Sequence, residues 1–230
     1  MRNELLSRVT SVENGTRGNL QATIEVDGVA YPLVCTSSFG PEVKNPSDRL
    51  VRDYLNGVLP KLHPDSPTTL LLPLQANDRC AANCKGCVFA RDIVGEGFLA
   101  LPTTPKTLQV ILDNARVLMR KYGLLSAKGT FRVGALLSGD PSFNQHTTEL
   151  IRVFGENPDI TSVRLSTIAV KTKNNPLMAI LEGARVIKSV ESNLNLRVQV
   201  SLHSTNPEKR QSHVSYHGSL TSKLISMTEI

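Results

Sequence analysis

From Thr68 to Leu202 the chain alternates strand-like and helix-like segments, and each strand-like segment ends in small or polar residues. Residues 69–74, Thr-Leu-Leu-Leu-Pro-Leu, form a continuous apolar run of the kind found in a strand buried on both faces. A helix is expected from Pro105 to Tyr122: Pro105 suits its first turn, Leu108, Ile111, Leu112, Ala115 and Leu118 share one face, and Gly123 ends it. Further strands are expected over 131–137, 162–168 and 196–202, with helices over 147–154 and 176–190 between them. This order argues for a parallel sheet with crossover helices, either open or curled towards a barrel. In both arrangements ligands bind at the carboxyl ends of the strands.

Those ends carry the chain's candidate chemistry. After the first comes Arg79-Cys80-Ala81-Ala82-Asn83-Cys84-Lys85-Gly86-Cys87, which holds three of the four cysteines in a C-x3-C-x2-C spacing. Three thiolates on one short loop can bind one face of a metal centre, leaving a tetrahedral ion or a cubane cluster one corner short. The second end is Ser138-Gly139-Asp140-Pro141, the third carries Ser166-Thr167, and the fourth is Ser201-Leu202-His203. Taken singly, Asp140 reads as a turn or helix cap, Ser166 as a solvated strand end and His203 as a structural histidine. Their recurrence at one end of successive strands is what points to a site.

Ahead of this region, residues 21–26 and 29–34 alternate around Asp27-Gly28, a strong hairpin signal. Cys35 closes the second strand and reads as a small buried apolar residue, with a role as fourth zinc ligand left open. A loop over 37–46, a helix over 49–59 capped by Ser47-Asp48, and a linker over 61–67 complete the expected N-terminal part. The domain expectation is therefore an appendage over 1–67 and an α/β core over 68–230.

No apolar segment is long enough to cross a bilayer, and the first residues lack the apolar core of a signal peptide. A cytoplasmic protein is expected, in which reduced thiols favour metal ligation over disulfides. The net charge of +6 permits a polyanionic partner. Lys and Arg are scattered, however, and aromatics make up only 4%, so surfaces for stacking bases are few.

With the cysteine loop after the first strand and Ser-Gly-Asp-Pro after the second, the chain resembles the radical S-adenosylmethionine (SAM) enzymes. The resemblance implies a partial (β/α) barrel of radical SAM type, incomplete here, with a small N-terminal β-hairpin and helix appended. It implies that Cys80, Cys84 and Cys87 ligate three irons of a [4Fe-4S] cluster whose fourth iron chelates S-adenosyl-L-methionine. One-electron reduction by a flavodoxin or ferredoxin then cleaves SAM to a 5′-deoxyadenosyl radical that abstracts hydrogen from a substrate. Gly139 and Asp140 match the turn that receives the SAM amino group, Ser166 a strand-end serine near its carboxylate or ribose, and Ser201, Leu202 and His203 a Ser-Leu-His element.

The segment from Val198 to Arg210 is similar to one in the radical SAM adenine-C2 RNA methyltransferases, which brings RNA in as a substrate class. The 136–141 turn also resembles that of the lysine aminomutase group. Three departures are visible. Gly86 stands where an aromatic residue is usual, four strands are readable where the family has six, and no cysteine follows Cys87 to carry a methyl group. The resemblance therefore reaches the cofactor and its radical chemistry, while the catalytic residues and the substrate stay unassigned. Two other readings remain at this point: a zinc-stabilised binding module without enzymatic activity, and a truncated relic that keeps a cluster without turnover.

Overall fold

The computed structural model describes residues 6–14, 20–36, 68–75, 102–125, 128–135, 139–168, 176–190 and 192–200. They form an α/β structure in which seven strands share one mixed sheet in sequence order. The strands are β1 (Ser7–Asn14), β2 (Leu20–Val26), β3 (Val29–Thr36), β4 (Thr69–Leu72), β5 (Phe131–Ala135), β6 (Ile160–Thr167) and β7 (Asn195–Val200). The helices are α1 (Pro105–Lys121), α2 (Thr147–Gly155) and α3 (Pro176–Ser189), with a short 3-10 turn at Pro141–Phe143. A radical SAM barrel as such is not established by this arrangement.

The first three strands are antiparallel, and β3 also pairs antiparallel with β4 through Val34–Leu71, Cys35–Leu70 and Thr36–Thr69. From β4 to β7 every pair is parallel. The expected hairpin is present as β2 and β3, with Asp27 at φ 49° and Gly28 at φ 79°. Two successive positive φ values define the hairpin turn whose twist matches that of the flanking strands. A further strand, β1, pairs along β2. The hairpin thus belongs to the same sheet as the parallel strands, on the outer side of β4, and its apolar side chains join the same core.

That core lies on one face. Leu20, Ile24, Leu33, Leu70, Leu72, Phe131, Val133, Val163 and Leu165 point the same way by strand alternation and cluster with Leu108, Ile111, Leu112, Leu150, Phe154, Ile180 and Ile187 of the helices. All three helices therefore cover this face. The intervening strand positions, such as Arg132, Gly134, Arg164 and Ser166, belong to the opposite face.

Helix α1 starts where Thr104 accepts a hydrogen bond from the Thr107 amide at 3.2 Å, with Pro105 at its first position. Its far half is held by Arg116, whose guanidinium donates to both carboxylate oxygens of Asp159 at 2.6 and 2.8 Å and to Asn157 Oδ1 at 2.5 Å. The same guanidinium lies 5.8 Å from the Phe131 ring centroid. Asp159, hydrogen-bonded and charge-paired, raises the Arg116 pKa above its ordinary value. This fork ties the first crossover helix to the residues that enter β6.

Candidate cofactor site at the strand ends

Because β4 to β7 are parallel, their carboxyl ends lie along one edge of the sheet. Just past β4 the chain continues through Leu74 and Gln75, 2% and 1% exposed. It comes back to the same place after the cysteine segment. Gln75 forms an antiparallel bridge with Pro102, and the Thr103 amide donates to the Leu74 carbonyl at 3.0 Å. Residues 76–101, which include every cysteine of the C-x3-C-x2-C loop, therefore begin and end at the carboxyl end of β4.

Asn144 closes this base. Its side-chain amide donates to the Leu74 carbonyl and to the Thr103 carbonyl, each at 3.0 Å, while its Oδ1 accepts from the His146 amide at 2.8 Å. Asn144 is 1% exposed. One side chain thus satisfies two buried carbonyls from the outgoing and the returning strand, and both amide hydrogens are used. Asn144 and Thr103 were not singled out in the sequence. Neither has a pattern of its own, because each is defined by a backbone position far away in the chain.

The turn after β5 packs against the same base. Gly139 has φ +87°, and a Cβ placed on it would lie 2.8 Å from both the backbone nitrogen and Cγ of Gln75. Only glycine permits both the left-handed backbone and this approach. Asp140, next in sequence, is 5% exposed, and its two oxygens accept from the Thr167 hydroxyl at 2.8 Å and the Ile168 amide at 2.6 Å. Its carboxylate braces the end of β5 against the end of β6. The sequence placed Asp140 as a contact of the SAM amino group. The structure places it at the strand ends, and gives both carboxylate oxygens partners from within the chain.

Ser166 sits at the end of β6 on the face opposite the helices, in register with Gln199. Its hydroxyl oxygen is buried and has no hydrogen-bond partner. A buried orphan hydroxyl at a strand end is what a polar ligand group would satisfy, and leaving it unpaired costs about 1–3 kcal/mol. Cys80, Cys84 and Cys87, and likewise Ser201, Leu202 and His203, lie outside the described residues.

Cys35 is placed away from the strand ends' polar groups, in the core. It lies in β3, 1% exposed, within the apolar core. Burial pushes its thiol pKa up to about 12, so it is a neutral thiol at ordinary pH. Among the described residues no group of three or more His, Cys, Asp and Glu side chains is placed to hold a metal ion. No helix among them is long and apolar enough to cross a membrane. No family model matches the chain, and no curated protein matches it.

Proposed function

We propose that the chain is a radical SAM enzyme in which Cys80, Cys84 and Cys87 hold three irons of a [4Fe-4S] cluster and leave the fourth for S-adenosyl-L-methionine. When bound, that pair supplies one-electron cleavage of the sulfonium and hydrogen abstraction from a substrate. The observation that carries the reading is the pinned base of the cysteine segment. Residues 76–101 leave and rejoin the sheet at Leu74–Gln75 and Pro102–Thr103, at the edge where the Gly139 turn and the orphan Ser166 hydroxyl also lie.

In this reading the chain's own residues divide the work. Asn144 and Gly139 fix the base of the ligand loop, and Asp140 fixes the turn beside it. The Asp140 carboxylate, by accepting from Thr167 and Ile168, holds the turn that in this reading receives the SAM amino group. Ser166 donates to a carboxylate or ribose oxygen of SAM. Ser201, Leu202 and His203, which follow β7 in sequence, are assigned to the cofactor by the same resemblance. An external one-electron donor of the flavodoxin or ferredoxin type reduces the centre, and RNA is the substrate class brought by the likeness of residues 198–210 to the adenine-C2 methyltransferases. A cytoplasmic setting agrees with the reduced thiols this requires.

Cys35, the one cysteine outside the loop, is buried in the apolar core on β3, which argues against the zinc-module alternative that needs it as fourth ligand. The test is the SAM cleavage product. After anaerobic reconstitution, the full chain under dithionite is expected to release 5′-deoxyadenosine, and Ser166→Ala to raise the KM for SAM about tenfold with a smaller change in kcat. Cluster binding with no 5′-deoxyadenosine would instead mark a relic without turnover.

A further inference from the structure

Strand β1 is the outer strand of the antiparallel half. Among the described residues its one neighbour in the sheet is β2, so its other side presents backbone donors and acceptors with no strand beside them. Ser7 to Ser11 and Glu13 are exposed, and two apolar side chains lie open here, Leu6 at 81% and Val9 at 37%. The strand's side-chain bonds to described residues run back into the molecule. Arg8 donates to Glu25, the Thr10 hydroxyl to the Thr23 carbonyl at 3.3 Å, and Ser7 Oγ accepts from Asn114 at 3.2 Å.

The strand is not regular. Val9 pairs with Ile24 and Ser11 with Thr23, so Thr10 is an extra residue, a bulge. In a regular strand Arg8 and Glu13, an odd number of residues apart, would point to opposite faces. The bulge cancels that. Arg8, Ser11 and Glu13 align with Glu25, Thr23 and Gln21 on the face away from the helices, while Val9 and Val12 align with Ile24 and Ala22 on the core side.

Two identical antiparallel strands related by a twofold axis perpendicular to the sheet set side chains of the same face opposite one another. With the axis between Thr10 and Ser11, Arg8 stands opposite Glu13 of the second copy, Val9 opposite Val12, Thr10 opposite Ser11 and Ser7 opposite Asn14. Each charge of the strand then meets its opposite. Moving the register by one residue sets core-side against outward side chains. Arg8 uses Nε and Nη2 on Glu25, which leaves Nη1 for the second carboxylate. Bulges and charges on an edge ordinarily discourage pairing. Here they discourage other strands and other registers while matching this strand to itself.

We propose that two copies of this chain pair through β1, joining their sheets into one across a twofold axis. Charge complementarity, cover for Val9 and the face agreement created at Thr10 are separate observations that select a second copy as the occupant. A contact along one strand lies at the low end of specific interfaces, below about 1,200 Å², so the pairing is weak and reversible. Strands β2 and β3 lie between β1 and β4, so the pairing leaves the strand-end site open and does not depend on the chemistry there.

The test is sedimentation velocity of the full chain from about 1 to about 300 µM, with an expected monomer–dimer dissociation constant on the order of 10–100 µM. Arg8→Glu and Glu13→Arg each set like charges opposite one another at two points, and each variant alone is expected to pair at least about tenfold more weakly. Mixed in equal amounts they are expected to recover the dimer, because a chain acidic at both positions then faces a chain basic at both. Both side chains are exposed, so both variants are expected to keep the wild-type circular dichroism. A wild-type chain that stays monomeric to the highest concentration overturns the proposal. So does a dimer that either variant forms as tightly as the wild type, or a mixture that pairs no better than its components.

Discussion

The two halves of the sheet are joined by the β3–β4 pair and share one apolar core, yet their opposite faces are built on different terms. In the antiparallel half one pair of opposite charges is matched across the strands. Arg8 and Glu25 are register partners on β1 and β2, joined at 3.0 Å. In the parallel half Arg164 and Arg197 are register partners of the same sign. Polar groups at the parallel strand ends are also more deeply committed: Gln75, Thr103, Asp140 and Asn144 are each 5% exposed or less. At the parallel strand ends, by contrast, the Ser166 hydroxyl has no partner among the described residues.

Substitutions can break this contrast. The largest effect is expected from Gly139→Ala, which drives a Cβ into the Gln75 backbone and strains a residue at positive φ. A loss of about 3 kcal/mol by denaturant unfolding is expected, together with impaired iron loading, since the base of the cysteine segment must shift. An equal loss of stability with full iron loading would separate the turn from the site. At the other extreme, Arg8→Ala removes an exposed pair whose Arg8 side chain is 72% accessible. Less than about 0.5 kcal/mol is expected, with iron loading unchanged.

Between these lies the buried thiol of Cys35. Its folded pKa of about 12 exceeds the unfolded thiol value, so the unfolded state loses its proton first as pH rises. Its contribution to stability is complete below about pH 8.5 and is lost progressively towards pH 12. The expected readout is a native chain in which Cys35 resists thiol reagents at pH 8, and a Cys35→Ala variant whose stability falls less steeply above pH 9. Rapid modification of Cys35 in native protein would contradict its burial.

Much of the architecture was legible because it depends on local pattern. The hairpin at Asp27–Gly28, the helix from Pro105, and the strands of β4 to β7 follow from periodicity and turn chemistry that each segment carries in itself. Strand β1 was missed: Ser7–Asn14 alternates weakly, and its pairing with β2 shifts register between Val9 and Ser11. The union of the hairpin with the parallel strands was also missed, because pairing between residues as distant as Thr36 and Thr69 leaves no local trace. At the site, Gly139, Asp140 and Ser166 were found from their positions after strands. What each does was not readable. Asp140 is bonded to Thr167 and Ile168, the Ser166 hydroxyl has no partner among the described residues, and the Asn144 clamp depends on carbonyls 70 and 41 residues away in sequence.

The metal content of the full chain after anaerobic reconstitution tests the central claim most directly. The account predicts about four irons and four sulfides per chain. They should be lost in Cys84→Ala and retained in Cys35→Ala, with no zinc bound. One zinc per chain, no iron, and loss of the metal in Cys35→Ala would contradict it.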